Sequence, residues 1–547
     1  MTVLPAADAP IPIFTTLKEV YGSLATAAKH AERWDELVRE FETKFGHKPT
    51  YVARAPGRVK YVYALLFPLM FIILREHIDY ADFGVFPAAI EHDILIACAP
   101  RPAPTAAAHP EGYAPGSVVA ENLHTRYTRQ VFWPTRRHTL GDDVPLDAVR
   151  VAPWHLDIDK SELRWESYVK AGYYGVLNHF FFPSSISPVP VPVDILVTGN
   201  VPPGSGLSSS AAMVVSSTLA FLAVNGIFDG EKAPTKGELV NIAMENERRV
   251  GVNSGGMDQS ASVIALPGSA LYVSFVPSLH AEPIVLPRDC RVCLLVVSNK
   301  AESAKHQYNL RVAETLAAAR LLSHRLNLQV DSIDGENTKR HLVTLHEQDA
   351  QFEDLVLLQK GLVDILEIAM EYLLPEFGDR TDISLDEVIG KSGMGEAEFR
   401  ELYLSGVDVE TTNFELYLRA RHVFEEALRV LTFREVCLAG GGNEESKLQT
   451  LGKLMNESHD SCHRQFDCSH PKVNDLVRVA RSFGEVETGA GWGGCTVSLV
   501  HRDDVEAFIM HAKKKYASYE GMSEDDLASC VFATEPGMGA CVFKLTD

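Results

Sequence analysis

The sequence predicts an α+β protein of two domains, on three observations. The chain has 547 residues, long enough for more than one sizeable core. Strand-like alternation and helical periodicity both recur along it, with no internal repeat or heptad array. The pattern then restarts at Cys290 with a new strand followed by a long helix. That restart places a boundary near residue 288 and gives domains 1–288 and 289–547.

In chain order, residues 11–46 predict amphipathic helix ending at Gly46. YVARAPGRVK predicts a strand before Pro56-Gly57. The apolar run 61–74 is too short for a membrane span, which needs about 20 residues. An acidic turn holding Glu76, His77 and Asp79 then feeds an apolar strand. Residues 101–150 are rich in Pro, Ala and His and predict loop, and 165–181 predict helix. A helix running to Val250 leads to Gly255-Gly256, a turn just before Asp258, with strands expected next. Beyond the strand that starts at Cys290, helical and charged sequence continues to about residue 435.

The stretch Gly199–Val224 is the densest in chemistry. Alternation at Val191, Val193, Ile195 and Val197 predicts a strand, and the small, apolar run after Ser210 predicts a buried helix. Between them stand Gly204, Gly206 and the hydroxyls Ser208, Ser209 and Ser210. The glycines permit positive φ and close backbone approach, and serines at a helix start suit an anion facing free N–H groups. The expectation is a phosphate cradle. It is not a Walker loop, since no Gly-Lys-Ser/Thr follows the glycines.

Composition narrows the class. A formal net charge of −22 argues against nucleic-acid binding. The N-terminus lacks a basic and then apolar leader pattern, so no signal peptide is expected. Nine cysteines without regular spacing point to a reducing compartment, the cytoplasm. Cys462, His463, Cys468 and His470 fit no standard zinc spacing, and Cys290 and Cys293 lie in an apolar strand. Gly489 to Gly494 match GxGxxG formally, but these glycines precede a strand and open no helix, so no dinucleotide fold is expected.

Three separated motifs, in order, resemble the GHMP small-molecule kinases and, within them, the galactokinases of fungal type. They are APGRV (55–59) with EHIDYADFGVFPAAI (76–90), PPGSGLSSSAA (202–212) and TGAGWGGCTV (488–497). ERRVGVNSGGMDQ (247–259), SNKAESAKHQYNLRV (298–312) and the segment 454–477 are similar too, so the resemblance covers nearly the whole chain. It implies an N-terminal domain like ribosomal S5 domain 2, a C-terminal ferredoxin-like α/β domain, and an active site in the cleft between them.

The resemblance also implies ATP-dependent phosphorylation of the anomeric hydroxyl of galactose, with ATP and Mg²⁺ as cofactors. Carried over residue by residue, Gly204, Ser205, Gly206, Leu207, Ser208 and Ser209 would wrap the triphosphate, with Trp165 on the adenine side. Ser210 and Glu247 would hold Mg²⁺. Asp258 would accept or orient the sugar hydroxyl proton, and Arg58 would keep it ionised. Glu76, His77, Asp79, Gly255 and Tyr308 would bind sugar hydroxyls. Galactose and ATP are thus the expected partners, with no nucleic acid and no membrane. The alternatives are an N-acetylgalactosamine kinase, or a galactose- and ATP-binding transducer that engages a repressor. Such transducers have a damaged serine-alanine run, whereas Ser208 to Ala212 is intact.

Two departures stand out. The family pattern PGRVNLIGEHxDY has four residues between Val and Glu, whereas Lys60 to Arg75 make 16 here, twelve more. Lys60-Tyr61-Val62 can be encoded AAG-TAT-GTN, which contains GTATGT, a common fungal intron start, so the segment reads as translated intron. Glu485 and Glu487 replace a Ser-Arg pair ahead of Thr488, and acidic side chains facing a triphosphate would oppose it.

Overall fold

The computed structural model describes residues 6–60, 78, 83–103, 114–136, 154–159, 164–181, 189–230, 233–251, 256–275, 278–287, 290–296, 304–327, 355–374, 380–404, 412–441, 443–484, 487–490 and 494–546. Two sheets organise them. The larger has seven strands in the order Ile13–Phe14, Cys541–Lys544, Tyr51–Lys60, Pro87–Pro100, Val193–Gly199, Val118–Asn122 and Gln130–Phe132. It is mixed: Ile13–Phe14 and Val118–Asn122 run parallel to a neighbour, and the central pairs are antiparallel.

The central strands are apolar on both faces because helices cover both. Trp34, Leu37 and Phe41 of helix Leu24–Phe45 pack on Val52, Leu95 and Leu196. The opposite face takes helix Ser209–Val224, of which thirteen residues from Ala211 to Val224 are buried. A near-continuous apolar helix is the expected signature of such an enclosed position. Helix Trp165–Phe180 lies against it so closely that a Cβ at Gly172 would stand 2.7 Å from the Val214 carbonyl oxygen.

The smaller sheet is antiparallel, in the order Glu487–Ala490, Cys495–His501, Cys290–Val296 and Val531–Thr534. Helices Ala304–Arg325, Leu355–Leu373, Leu416–Leu438, Glu444–Arg464 and Pro471–Arg481 are among the helices described in this half. Separate mixed and antiparallel sheets with segregated helices make an α+β fold, as expected. Among the described residues no helix is long and apolar enough to cross a membrane.

Four local expectations are corrected. The N-terminal helix is broken at Gly22, left-handed at φ 74°, and Ile13–Phe14 join the sheet as a strand. Residues 101–150 contain strands Val118–Asn122, Gln130–Phe132 and Thr135–Arg136, fixed by pairing with distant residues: Val118 sits opposite Val193. Strand Tyr51–Lys60 continues through Pro56, at a bulge between Pro56 and Arg58 where the missing N–H costs no ladder bond. Asp258 lies in the first turn of helix Met257–Ile264, and strand Ser269–Ser274 comes only after that helix.

Candidate active site

The bulge in Tyr51–Lys60 aims Arg58 inward, where it is 2% exposed. Its backbone N–H donates to the Leu207 carbonyl at 3.0 Å, which ties the strand to the glycine-serine loop. This approach requires Gly57, because a Cβ there would lie 2.6 Å from the Leu207 oxygen. The guanidinium then serves two partners. Nε donates to Asp258 Oδ1 at 2.9 Å, and Nη1 donates to the Gly206 carbonyl at 2.5 Å. A planar fork offers these donors in fixed, well-separated directions, which a compact, freely rotating ammonium does not.

Asp258 is 4% exposed, in the first turn of helix Met257–Ile264, whose start at Gly256 is left-handed with φ 97°. Ser262 of the same helix donates to the Pro56 carbonyl at 2.8 Å, so helix and bulge are fastened at both ends. The neighbouring Gln259 donates from Nε2 to Glu247 Oε2. That bond ties Glu247, 1% exposed at the end of helix Lys236–Glu247, to the helix that carries Asp258. Cys495, from the third glycine motif, is close enough for Arg58 to act on it electrostatically, while burial holds its thiol neutral with a pKa pushed up to about 12.

The loop itself is a set of left-handed positions: Gly204 at φ 79°, Gly206 at 89° and Ser208 at 55°. Ser205 spends both its N–H and its hydroxyl on the Pro202 carbonyl, so it shapes the turn. Ser208 departs from the expected serine cap. It occupies the N-cap position of helix Ser209–Val224, but its side chain makes no capping bond, and its buried Oγ has no hydrogen-bond partner among the described residues. A buried hydroxyl held that way by a strained residue suits an incoming acceptor. Ser209 and Ser210 open the helix and are half-buried.

The structure therefore brings together Arg58, Asp258, Gly206 and Leu207, with Glu247 joined through Gln259. Trp165 opens helix Trp165–Phe180, with its ring 6.1 Å from that of Tyr127 and a buried Nε1 that makes no hydrogen bond. Glu76, His77, Asp79, Gly255 and the Tyr308 side chain lie outside the described residues, as do residues 61–75 and Glu485 and the Glu487 side chain. In the cysteine-histidine segment, His463 bonds Ser469 at 2.7 Å and His470 caps helix Pro471–Arg481 through Lys472 N–H.

Comparison with known proteins gives this geometry a family. The model of the GHMP kinases N terminal domain matches residues 167–265, and that of the GHMP kinases C terminal matches 442–518. The galactokinase galactose-binding signature matches residues 73–100. A galactokinase of Dictyostelium discoideum is 31% identical over 561 residues, covering 98% of each chain. The chain belongs to the galactokinase family of GHMP kinases. A galactokinase of Saccharomyces cerevisiae is likewise 31% identical, over 94% of this chain and 95% of that one. The fold agrees with a crystal structure of Lactococcus lactis galactokinase complexed with galactose, at TM-score 0.59 and 20% identity over 93% of this chain and 99% of that one. Within the family frame, Gln259 and Ser262 are the residues that motif reading passed over. Their position beside Asp258 in GGMDQSAS was the available signal.

Proposed function

We propose that this galactokinase-family chain transfers the γ-phosphoryl group of ATP to the anomeric hydroxyl of galactose, giving galactose 1-phosphate. The observation that carries the reading is the single guanidinium of Arg58, shared between Asp258 and the Gly206 carbonyl of the phosphate loop. It sets the group that would receive the sugar proton at a fixed place relative to the loop that would hold the triphosphate. Positioning and charge stabilisation are what phosphoryl transfer mainly requires.

In this reading Asp258 accepts or orients the sugar hydroxyl proton, and Arg58 keeps it ionised and stabilises the transferred charge. Gly204, Ser205, Gly206, Leu207, Ser208 and Ser209 form the triphosphate loop, and Trp165 is the aromatic on the adenine side. Glu76, His77, Asp79, Gly255 and Tyr308 are assigned to the sugar hydroxyls. The donor set fits Mg²⁺, because a buried carboxylate already fixed by Gln259 and a serine hydroxyl at a helix start are both oxygen ligands. Glu247 and Ser210 would hold the ion, which would neutralise charge on the phosphates when bound. The active cleft falls between domains 1–288 and 289–547. A cytoplasmic location suits the free thiols of Cys98, Cys293, Cys462, Cys468, Cys495 and Cys541, all buried.

The test is turnover of ATP by the purified chain with galactose and with N-acetylgalactosamine in turn. Galactose-dependent release of ADP with formation of galactose 1-phosphate is expected. Turnover with N-acetylgalactosamine alone moves the substrate. Binding of both ligands without turnover overturns the kinase reading in favour of a sugar-sensing transducer with a protein partner.

A further inference from the structure

One buried network lies outside the residues assigned above and borders the strand that carries Arg58, the exit of the phosphate loop and the chain beneath the Asp258 helix. Asp93, in the middle of strand Pro87–Pro100, is fully buried. Its carboxylate accepts from Arg54 Nε at 2.5 Å, from Arg33 and from the Tyr21 hydroxyl at 3.2 Å. The two guanidiniums hold it ionised against its burial, with a pKa below the usual carboxylate range. Arg54 passes the constraint on by donating Nη1 to the Met538 carbonyl at 2.9 Å. Residues 536–540 run beneath the Asp258 helix: Ala540 N donates to Ser262 O at 2.7 Å and Gly539 N to Ala265 O at 2.9 Å.

The backbone of Asp93 faces the other way, toward the phosphate loop. The sheet ladder ends at the Ile94–Gly199 pair, and Asn200 is the first residue beyond it. There the chain leaves the sheet, and the Asp93 N–H loses the carbonyl that a continuing strand would offer. Asn200 replaces that acceptor: Asp93 N donates to Asn200 Oδ1 at 2.8 Å, and Asn200 N donates to Asp93 O at 3.1 Å. The same Asp93 is the cross-strand partner of Pro56, at the bulge that delivers Arg58. One immobile residue is thus the common reference for the exit of the phosphate loop, the seat of Arg58 and the seat of the Asp258 helix.

We propose that Asn200 is a positioning residue for ATP, clamped by its side chain to the buried Asp93 so that the phosphate loop leaves the sheet at a fixed point. This rests on residues 204–209 being the triphosphate loop. The clamp needs an acceptor oxygen at the asparagine Oδ1 position and nothing else from that side chain, which separates it from a general packing role.

The experiment measures the dissociation constant of a non-hydrolysable ATP analogue with magnesium by calorimetry on the full chain, for wild type, Asn200→Ala and Asn200→Asp. Thermal midpoints and galactose turnover are recorded beside it. Asn200→Ala is expected to weaken nucleotide binding about tenfold. Asn200→Asp keeps the acceptor but adds a negative charge, so at high ionic strength, where repulsion of the triphosphate is screened, it should recover to within about threefold of wild type. Unchanged affinity in Asn200→Ala, or equal loss in both variants at high ionic strength, overturns the clamp. A wild-type chain that binds the analogue without turning over galactose breaks the substrate reading alone, since the affinity comparison needs no sugar.

Discussion

Arg58 Nε stands 2.9 Å from Asp258 Oδ1, and neither side chain is more than 6% exposed. Taking one partner from a buried pair leaves the other charge without its counter-ion. Asp258→Asn keeps the shape and removes the carboxylate proposed as the base, so kcat should fall about 10²–10⁴-fold with nucleotide affinity retained. Arg58→Lys keeps the charge but loses the fixed fork that spans Asp258 and the Gly206 carbonyl, and kcat should fall about 10²–10³-fold. Steady-state kinetics with galactose check both. Wild-type kcat in Asp258→Asn would falsify its assigned role.

Ser208 combines a left-handed backbone at φ 55° with a buried hydroxyl that has no hydrogen-bond partner among the described residues. Both features cost stability in the absence of a ligand. Ser208→Gly relieves them together and should raise the unfolding free energy by about 1 kcal/mol, measured by denaturant titration. The same change deletes the hydroxyl proposed to donate to a phosphate and should raise the KM for ATP about tenfold or more. A less stable variant with unchanged KM would count against the hydroxyl as a phosphate ligand.

His92 lies tilted against Phe532, ring centroids 4.1 Å apart, and its Nδ1 is buried without a partner. Burial lowers its pKa to about 4, against about 6.5 in an unfolded chain. Between those values the unfolded chain binds a proton that the folded one refuses, so stability falls as pH drops from about 6.5 toward 4. His30, also lowered mainly by burial, contributes in the same direction. Thermal midpoints across that range should decline for wild type and decline less for His92→Gln. Parallel curves for the two proteins would remove His92 as a cause.

Much of this site was legible because its residues sit in contiguous motifs whose chemistry is local. APGRV, PPGSGLSSS and GGMDQ each present their glycines and polar groups in a row, and Arg58, Gly206 and Asp258 follow from them. What stayed hidden depends on packing. Helix Met257–Ile264 is eight residues long and starts at a glycine, so it has no periodicity to read. The Gln259–Glu247 and Ser262–Pro56 bonds exist only once that helix is docked on the bulge. Strand Val118–Asn122 is stabilised by Val193 and its neighbours, far along the chain, and its own composition does not announce it. Ser208 reads as a helix cap from its neighbours. Its left-handed backbone emerges only beside the Leu207 carbonyl, which the Arg58 N–H holds.

The segment between Lys60 and Glu76 yields the last prediction. Lys60 pairs with Pro87, so strands Tyr51–Lys60 and Pro87–Pro100 form a hairpin whose connection contains Glu76, His77 and Asp79. Lengthening such a connection costs little stability, about 0.6 kcal/mol for each doubling of the loop. Placement of the side chains proposed to bind the sugar is far less tolerant, because a shift of about 1 Å is worth about 10² in rate. Twelve extra residues should therefore leave folding and nucleotide affinity nearly intact while lowering kcat/KM for galactose by about 10² or more. Deleting residues 61–72 from the expressed chain should restore it. The galactose-binding signature begins at residue 73 and remains whole in that deletion. If the segment is translated intron, the mature transcript also lacks its codons, and sequencing the cDNA shows this directly. A transcript with all sixteen codons from Lys60 to Arg75, together with equal kcat/KM for the full and shortened chains, would sink both the intron reading and the placement argument.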